Sequence, residues 1–346
     1  MRSQKIKEYL FNQIKHPVKD DKEYTQLFDF LSSLDILPMK ETSIHKEMSH
    51  THQTHISPYI SDIIMEDIQQ LTFHTISNIE IGNVHVSIDI LSNSYETKFL
   101  NNIKHVLQFV ISLFQPSYKK NININYYLTD ALKQLPSDGQ LQTNNVNSGS
   151  CSNNGDDCVI TIWRKEEIMK VTIHELIHGL QPNPLKDTNE IIHYYQKKYN
   201  ITSPKINIDE AYTELWANIL NCFILSYESK NIYKTFITYL SMEQLFCEIQ
   251  ANKIIKHTKL MGPSIDINKH TNVLAYYIIR CELFQKLPGF LKHCRKKNDR
   301  FIIIKKQSEW IPIFINKQKH KSYNITEPPV FMENTLRMTA IDNQII

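Results

Sequence analysis

The sequence predicts an α+β fold in which a small twisted sheet is followed by a mainly helical second half. Residues 84–90 and residues 122–128 alternate apolar and polar side chains, which is typical of half-buried strands. Residues 95–114 lie between them and place apolar side chains at helical spacing. From about residue 206 onward helical spacing dominates. These patterns together predict the mixed fold class.

The first 75 residues form the first predicted region, a helical segment with a histidine-containing linker. Apolar spacing predicts helices over 5–15 and 22–34, and the polar stretch 40–58 is predicted to be a loop. That loop contains four histidines within eleven residues, His45, His50, His52 and His55. Such a cluster could bind a metal ion. Because no cysteine or carboxylate pattern accompanies it, a solvated linker is the favoured interpretation.

The second predicted region, residues 76–185, contains the sheet and a helix that carries the principal motif. After the two alternating strands, a Gly/Asn/Ser/Asp-rich stretch over 134–157 is predicted to be a loop, and residues 159–164 a third strand. A helix begins near Lys165. The third region, residues 186–346, is predicted to be mainly helical, with helices over 208–226, 231–257, 271–286 and 288–297. A short apolar run over 301–304 fits a strand.

Composition and charge exclude several classes of function. A net charge of +3 does not indicate a nucleic-acid-binding protein, and the short basic run 292–300 is more typical of a solvated face. No apolar stretch approaches the eighteen residues of a membrane span. Six scattered cysteines without a C-x-x-C pair favour a reducing compartment. We therefore expect an intracellular, soluble protein without nucleic-acid or membrane partners.

Residues 174–178 carry the motif H-E-x-x-H. On an α-helix, positions i and i+4 project from one face, so His174 and His178 can present two imidazole nitrogens to a single ion. Glu175 lies one position further round the helix, within reach of a water at that ion. The motif therefore predicts a zinc site with a catalytic base, provided that a third ligand exists.

A third ligand is predicted at the start of the helix 208–226. Glu210 and Glu214 are again at i and i+4, so both face the same way. One of them can ligate zinc, while the other can hydrogen-bond the outer nitrogen of a ligand histidine and fix its tautomer. The alternative is a pair of exposed helix glutamates. A catalytic zinc needs three protein ligands and one open position, which favours the ligand interpretation.

These residues resemble the gluzincin clan of metallopeptidases. In that clan H-E-x-x-H is followed on the next helix by Asn/Asp-Glu-Ala/Gly, whose glutamate ligates zinc, and residues 209–211 read Asp-Glu-Ala here. The resemblance implies a zincin-like fold, one catalytic Zn²⁺ held by His174, His178 and Glu210, and Glu214 as the residue that orients a ligand histidine. The spacing between the two motifs is longer than in thermolysin-like and aminopeptidase families, and residues 187–206 fit an insertion.

The resemblance also implies a sheet edge that pairs with an extended peptide substrate just before the motif helix. The predicted edge strand comprises Val159, Ile160, Thr161, Ile162 and Trp163. An ordinary internal strand is the alternative.

A narrower resemblance is to predicted metallopeptidases of nucleocytoplasmic large DNA viruses, over roughly residues 80–340. It implies a viral gene product and a virion or infected-cell location with other virion proteins as partners. The residues that carry this resemblance are 146–149, 164–167, 170–175, 275–279 and 336–339.

The function that follows is a zinc metallopeptidase that hydrolyses peptide bonds of a peptide or protein substrate with a zinc-activated water and Glu175 as general base. Tyr276, Tyr277 and His270 are candidates for stabilising the oxyanion, as is Arg337. Adjacent helical tyrosines point about 100° apart, so at most one of the two enters the site. Arg337 could also bind a substrate carboxylate, although a surface salt bridge is the favoured interpretation for it.

Two alternatives to this function remain. The first is a non-catalytic zinc protein with a structural or virion-associated role, against which Glu175 argues because a structural site does not need that carboxylate. The second is a helical interaction module in which the motif is a coincidence. Cys151 and Cys158 flank the loop before the third strand and could bind metal or form a redox pair, but an incidental placement is favoured.

Overall fold

The computed structural model describes residues 2–14, 21–48, 57–260, 266–315 and 328–342. The chain divides into two compact units. The sheet unit contains Leu31–Lys133 and Asn147–Gln181. The helical unit contains the residues up to Phe30 together with Gln134–Val146 and Pro182–Asp342. The described residues between 31 and 75 therefore belong to the sheet unit. The predicted division into residues 1–75, 76–185 and 186–346 stays a prediction.

Strands and helices are numbered in chain order. The strands are β1 (Met39–Met48), β2 (Phe73–Ile81), β3 (Val84–Ser92), β4 (Lys120–Tyr127), β5 (Gly149–Asn154) and β6 (Asp157–Ile162). The helices are α1 (Arg2–Gln13), α2 (Lys22–Ser32), α3 (Asp62–Gln69), α4 (Thr97–Phe114), α5 (Thr143–Val146), α6 (Ile168–Leu180), α7 (Asn189–Tyr199), α8 (Ile208–Ser226), α9 (Ile232–Leu260), α10 (Arg280–Phe284), α11 (Leu287–Lys297), α12 (Ile311–Phe314) and α13 (Val330–Glu333). A π-helical turn, Leu274–Ile279, runs directly into α10.

The sheet unit is built on six strands in the order β1-β2-β3-β4-β6-β5. The pairs β3–β4 and β4–β6 are parallel, and the other three pairs are antiparallel. Each parallel step needs a crossover, and α4 supplies the one between β3 and β4. A mixed sheet joined to a helical unit confirms the α+β prediction at that level.

Helix α4 forms where the amphipathic pattern predicts it, and its apolar side is buried. Phe99, Ile103 and Leu107 have no exposed surface. The Phe99 ring packs edge-on against Tyr126 of β4, with ring centroids 5.3 Å apart. The apolar stripe of the sequence is thus the face that the helix buries against the sheet.

Three sequence predictions of local structure are wrong. Residues 39–48 form β1 and not a loop; His45 lies on this strand, whereas His50, His52 and His55 lie outside the described residues. The predicted loop 134–157 contains α5 and β5. Residues 301–304 form no strand and are held by an isolated bridge between Asp299 and Ile303. In both missed strands polar residues dominate, so no apolar alternation marks them.

The predicted substrate-binding edge is also wrong. Strand β6 pairs with β4 on one side and β5 on the other, so Val159 to Ile162 are internal to the sheet and Trp163 follows directly after. The edge on this side is β5. Its sequence, Gly-Ser-Cys-Ser-Asn-Asn, has none of the β-branched or aromatic residues that indicate a strand.

The helical unit contains helical structure at all four positions predicted after residue 206. Helices α8 and α11 match their predictions within one residue. The predicted helix 271–286 is instead the π-helical turn followed by α10. Among the described residues, no helix combines the length and apolar character needed to cross a membrane.

Candidate metal centre

Helix α6 places the H-E-x-x-H motif in the sheet unit against β5, β6 and α4. All its residues except His178 are buried, and His178 is half-buried. The helix hydrogen-bonds to the sheet through Thr172, whose hydroxyl lies 3.1 Å from that of Tyr126 on β4. This packing fixes the rotation of α6 about its axis, and therefore the direction in which the motif residues point.

The two histidines converge as the i, i+4 spacing predicts. Nε2 of His174 lies 3.2 Å from Nε2 of His178, and the rings are inclined by 72°. Two nitrogens bound at 2.0–2.1 Å to one tetrahedral zinc ion lie about 3.3 Å apart. The observed separation therefore fits a pair of neutral imidazoles that share a zinc ion.

Glu175 lies in a tight pocket formed by strand β5. A Cβ atom placed on Gly149 would lie 2.6 Å from the Glu175 Oε1 atom and 2.9 Å from Val171 Cγ1. A side chain at this position would therefore force the Glu175 carboxylate or the Val171 side chain to shift. Gly149 was not predicted as a site residue from the sequence, although it belongs to the segment 146–149 that carries the viral resemblance.

A buried ion pair holds the beginning of α6. The Lys133 ammonium donates to Glu167 Oε2 at 2.8 Å, with the side chains 2% and 0% exposed. Glu166 accepts from the backbone N–H of Lys133 at 2.7 Å, and Arg164 donates to the carbonyl of Asn147 at 3.1 Å. Arg164, Glu166 and Glu167, which belong to the segment 164–167 that carries the viral resemblance, therefore hold the start of α6 in place and have structural roles.

Glu210 is in the first turn of α8, in the helical unit, and is half-buried. Its Oε1 accepts a hydrogen bond from Asn272 at 3.1 Å. The loop before it is fixed by Asp187, whose carboxylate accepts from the backbone N–H groups of residues 206, 207 and 208. These bonds fix the start of α8 and orient the Glu210 carboxylate.

The metal-ligand types predicted from the sequence are present in each unit: His174 and His178 of the sheet unit each offer an imidazole nitrogen, and Glu210 of the helical unit offers a carboxylate oxygen. Two imidazole nitrogens and one carboxylate oxygen form a donor set that suits zinc. This set is the one that the gluzincin resemblance implies. Its function as a ligand set remains a prediction.

Glu214 is buried deeper in α8 than Glu210. Its Oε1 lies 3.1 Å from Nη1 of Arg280, and both side chains are 1% exposed. Arg280 also donates to Asn218 Oδ1 at 3.0 Å. Glu214 is thus paired with a buried guanidinium, and its predicted role in orienting a ligand histidine stays a prediction.

The two tyrosines of the π-helical turn differ in their surroundings. Tyr277 is fully buried, and its hydroxyl donates to the carbonyl of Leu336 at 2.7 Å. Tyr276 retains 8% of its surface. This difference makes Tyr277 a core residue and leaves Tyr276 as the stronger candidate for oxyanion stabilisation. Single π-helical turns are frequent at functional sites.

Arg337 and the cysteine pair also have defined partners. Arg337 is buried and donates to Asp342 at 2.7 Å, and Asp342 is half-buried, so the predicted surface salt bridge is instead a partly buried one. The Sγ atoms of Cys151 and Cys158 lie 3.4 Å apart on β5 and β6. Their contact raises the pKa of the Cys151 thiol and lowers the pKa of the Cys158 thiol. None of the six cysteines, all of which lie in the described residues, forms a disulfide.

The chain is similar to a protein of Acanthamoeba polyphaga mimivirus that is itself described as uncharacterized. The two are 24% identical over 297 residues, which cover 71% of this chain and 74% of the relative. No protein-family model matches the chain. No solved structure matches it either. The comparison agrees with the coarser part of the viral resemblance, a similarity to a viral protein, and assigns no activity.

Proposed function

We propose that this chain is a zinc-dependent metallopeptidase. The observation that carries the proposal is the 3.2 Å convergence of the His174 and His178 Nε2 atoms, with Glu175 beside them on the same buried helix. A purely structural zinc site does not require that glutamate. Glu210 completes the proposed ligand set, as the Asp-Glu-Ala signature implies.

A zinc ion at this site would supply Lewis acidity and would lower the pKa of a bound water. Glu175 accepts the proton of the attacking water and delivers it to the leaving amine. The absence of a side chain at Gly149 of β5 leaves space for the Glu175 carboxylate. Tyr276 is the proposed donor to the developing oxyanion. The zincin-like architecture and the virion location belong to the same proposal.

The first test is the metal content of the purified full-length chain, measured by inductively coupled plasma mass spectrometry. We expect one zinc per chain in the wild type and loss of that zinc in His174→Ala and His178→Ala. His85→Ala is the matched control, because His85 is an exposed histidine of the same sheet unit. Wild-type protein without stoichiometric zinc would favour the helical interaction module.

The second test is cleavage of a proteome-derived peptide library, read by mass spectrometry. Glu175→Gln should retain zinc and lose peptide hydrolysis by about 10²–10⁴-fold, because only proton transfer is removed. If the zinc-loaded wild type and Glu175→Gln give the same peptide profile, the non-catalytic zinc protein is the correct interpretation.

A further inference from the structure

Strand β1 is an unusually exposed edge of the sheet. It spans ten residues, and nine of them are exposed. Among the described residues, the strand pairs only with β2. Ile44 is 50% exposed and Met48 is 63% exposed. About half of the main-chain N–H and C=O groups of an edge strand point away from the sheet, so this strand can pair with another. An edge of this length is a binding surface for an extended segment.

The sequence of β1 is complementary to itself when it is read in the antiparallel direction. The strand reads Met-Lys-Glu-Thr-Ser-Ile-His-Lys-Glu-Met from residue 39 to residue 48. Two copies placed antiparallel oppose Lys40 to Glu47 and Glu41 to Lys46, and each end pairs Met39 with Met48. Opposite charges directly across a strand pair are favourable, and like charges are unfavourable.

The β-bulge in this strand makes that register geometrically possible. The pairing with β2 shifts between Glu41 and Ser43, so Thr42 is the extra residue. In a strand without a bulge, a pairing of residue 39 with 48 and 40 with 47 would bring side chains from opposite faces together. Because of the bulge, the alternation of side chains between the two faces of β1 is offset by one residue after Thr42. Ile44 then meets Ile44 of the second copy on the two-fold axis, and Ser43 meets His45.

The observed contacts place the charged pairs on matching faces. Glu41 accepts from Lys104 of α4 at 2.8 Å, and Lys46 donates to Thr97 of the same helix at 3.2 Å, so both face α4. Glu47 lies 3.1 Å from His74 of β2, at a position where residues face the other side. Lys40 is opposite Glu80 and shares that side. Each proposed cross-strand pair therefore joins residues of one face.

The charge pattern also argues against a strand that merely avoids association. Edge strands are often protected by charges, frequently lysines, that repel a second edge. Here two lysines and two glutamates balance, and the antiparallel order places opposite signs together. A protective pattern would oppose like charges in this register.

We propose that β1 is a homodimerisation edge, at which the β1 strands of two copies of this chain pair antiparallel about a two-fold axis at Ile44. The pairing joins the two six-stranded sheets into one continuous sheet. The inference is independent of the proposed peptidase activity, because it rests on residues of the sheet edge alone.

A charge-swap experiment tests both the pairing and its register. Lys40→Glu places two carboxylates opposite each other at the 40–47 pair, and Glu47→Lys places two ammonium groups there, in each case twice per dimer. We expect each variant alone to raise the dimer dissociation constant by at least about tenfold in sedimentation velocity. An equimolar mixture of the two variants should restore a dimer, and native mass spectrometry should show it to be the heterodimer. Lys119→Glu, an exposed charge change outside β1, is the matched control.

A cysteine cross-link tests the position of the axis. Ile44→Cys should give a covalent dimer on mild oxidation, whereas Lys40→Cys should not, because residues 40 of the two copies would lie about 20 Å apart. Wild-type protein controls for the native cysteines. A wild type that is monomeric at all accessible concentrations overturns the proposal, and so does a dimer that ignores the charge changes and gives no Ile44→Cys cross-link.

Discussion

The motif residues of helix α6 and the buried polar residues of the helical unit have different kinds of partner. On α6, the side chains of His174 and His178 turn their ring nitrogens toward each other at 3.2 Å. In the helical unit, Glu214 is paired with Arg280 at 3.1 Å, and Glu243 accepts from the backbone N–H groups of residues 340 and 341 at 2.9 and 3.0 Å. The first arrangement suits an added cation, whereas in the second the chain's own guanidinium and backbone amides donate to the carboxylates.

The buried polar side chains of the helical unit connect its helices to the C-terminal segment, residues 335–341. Asn218 donates to the carbonyl of Met338 at 3.0 Å, and Asn221 donates to that of Ile341 at 2.8 Å. Gln250 donates to the carbonyl of Thr335 at 3.1 Å. Buried polar groups that bond to the backbone in this way are expected to stabilise the fold. Burial of a glutamate therefore does not identify a site; the direction and identity of its partners do.

The strongest effects should come from replacing a glutamate by glutamine, once on α6 and once among the buried polar residues of the helical unit. Glu175→Gln should reduce peptide hydrolysis by about 10²–10⁴-fold and leave the free energy of unfolding almost unchanged. Glu214→Gln should lower the free energy of unfolding by about 3–5 kcal/mol, because it leaves Arg280 buried without its carboxylate. Urea unfolding followed by circular dichroism measures the second effect. Equal stability losses in both variants would contradict the distinction between the clusters.

The same Glu214 variant also tests the proposed role in the metal site. If Glu214 orients a ligand histidine, Glu214→Gln should weaken zinc binding by about 10–100-fold in a competition titration. Unchanged zinc affinity would restrict Glu214 to its ion pair with Arg280.

The next largest effect concerns Glu243 of the helical unit, whose protonation should make the free energy of unfolding depend on pH. Burial raises the pKa of the Glu243 carboxyl to about 7, from 4.5. The folded state therefore binds this proton more tightly than the unfolded state does. The stabilising contribution is complete below pH 4.5 and is lost as the pH rises through 7, in total roughly 3 kcal/mol. Glu243→Gln should remove that part of the slope when unfolding is compared at about pH 5 and about pH 7.5; an unchanged slope would contradict the assignment.

A pair of glycine substitutions tests how closely β5 holds the α6 glutamate. Gly149→Ala should cost about 1–3 kcal/mol of stability, because the new Cβ would lie 2.6 Å from Glu175 Oε1. It should also reduce hydrolysis while zinc is retained. Gly289→Ala is the control, because no atom lies within 4 Å of the new Cβ and the residue is in helix α11. There alanine should be neutral or stabilising by up to about 1 kcal/mol.

The weakest effects should separate the adjacent tyrosines. Tyr277→Phe should lower the free energy of unfolding by about 1 kcal/mol through loss of the buried bond to Leu336, with hydrolysis unaffected. Tyr276→Phe should reduce the turnover number and leave stability nearly unchanged. The opposite assignment of the two effects would show that Tyr277 is the oxyanion donor.

Regular periodicity made much of the fold predictable. The strands β3 and β4 and the helices α4 and α11 follow from apolar spacing, because each buries one face. The helices α8 and α9 also lie where they were predicted, although α8 is buried on nearly all sides. The strands β1 and β5 were not predictable in this way. Both are edge strands, and an edge strand that is exposed on its faces or packs through small polar residues carries no apolar alternation.

The parts of the candidate site that depend on local geometry could be read from the amino-acid order alone. Two histidines four residues apart on a helix must share a face, so their convergence in α6 followed from spacing. The distinction between Glu210 and Glu214, by contrast, rests on tertiary partners. Both occupy the same side of α8, but Glu210 is bonded by Asn272 and Glu214 by Arg280, which come from positions more than sixty residues further along the chain.

Three features became evident only in the folded chain: β6 is internal, a side chain at Gly149 would meet Glu175, and β1 is an open edge. These features arise from strand pairing and from the packing of α6 on β5. A strand's neighbours are set by long-range hydrogen bonds, which leave no periodic signal in the strand's own residues.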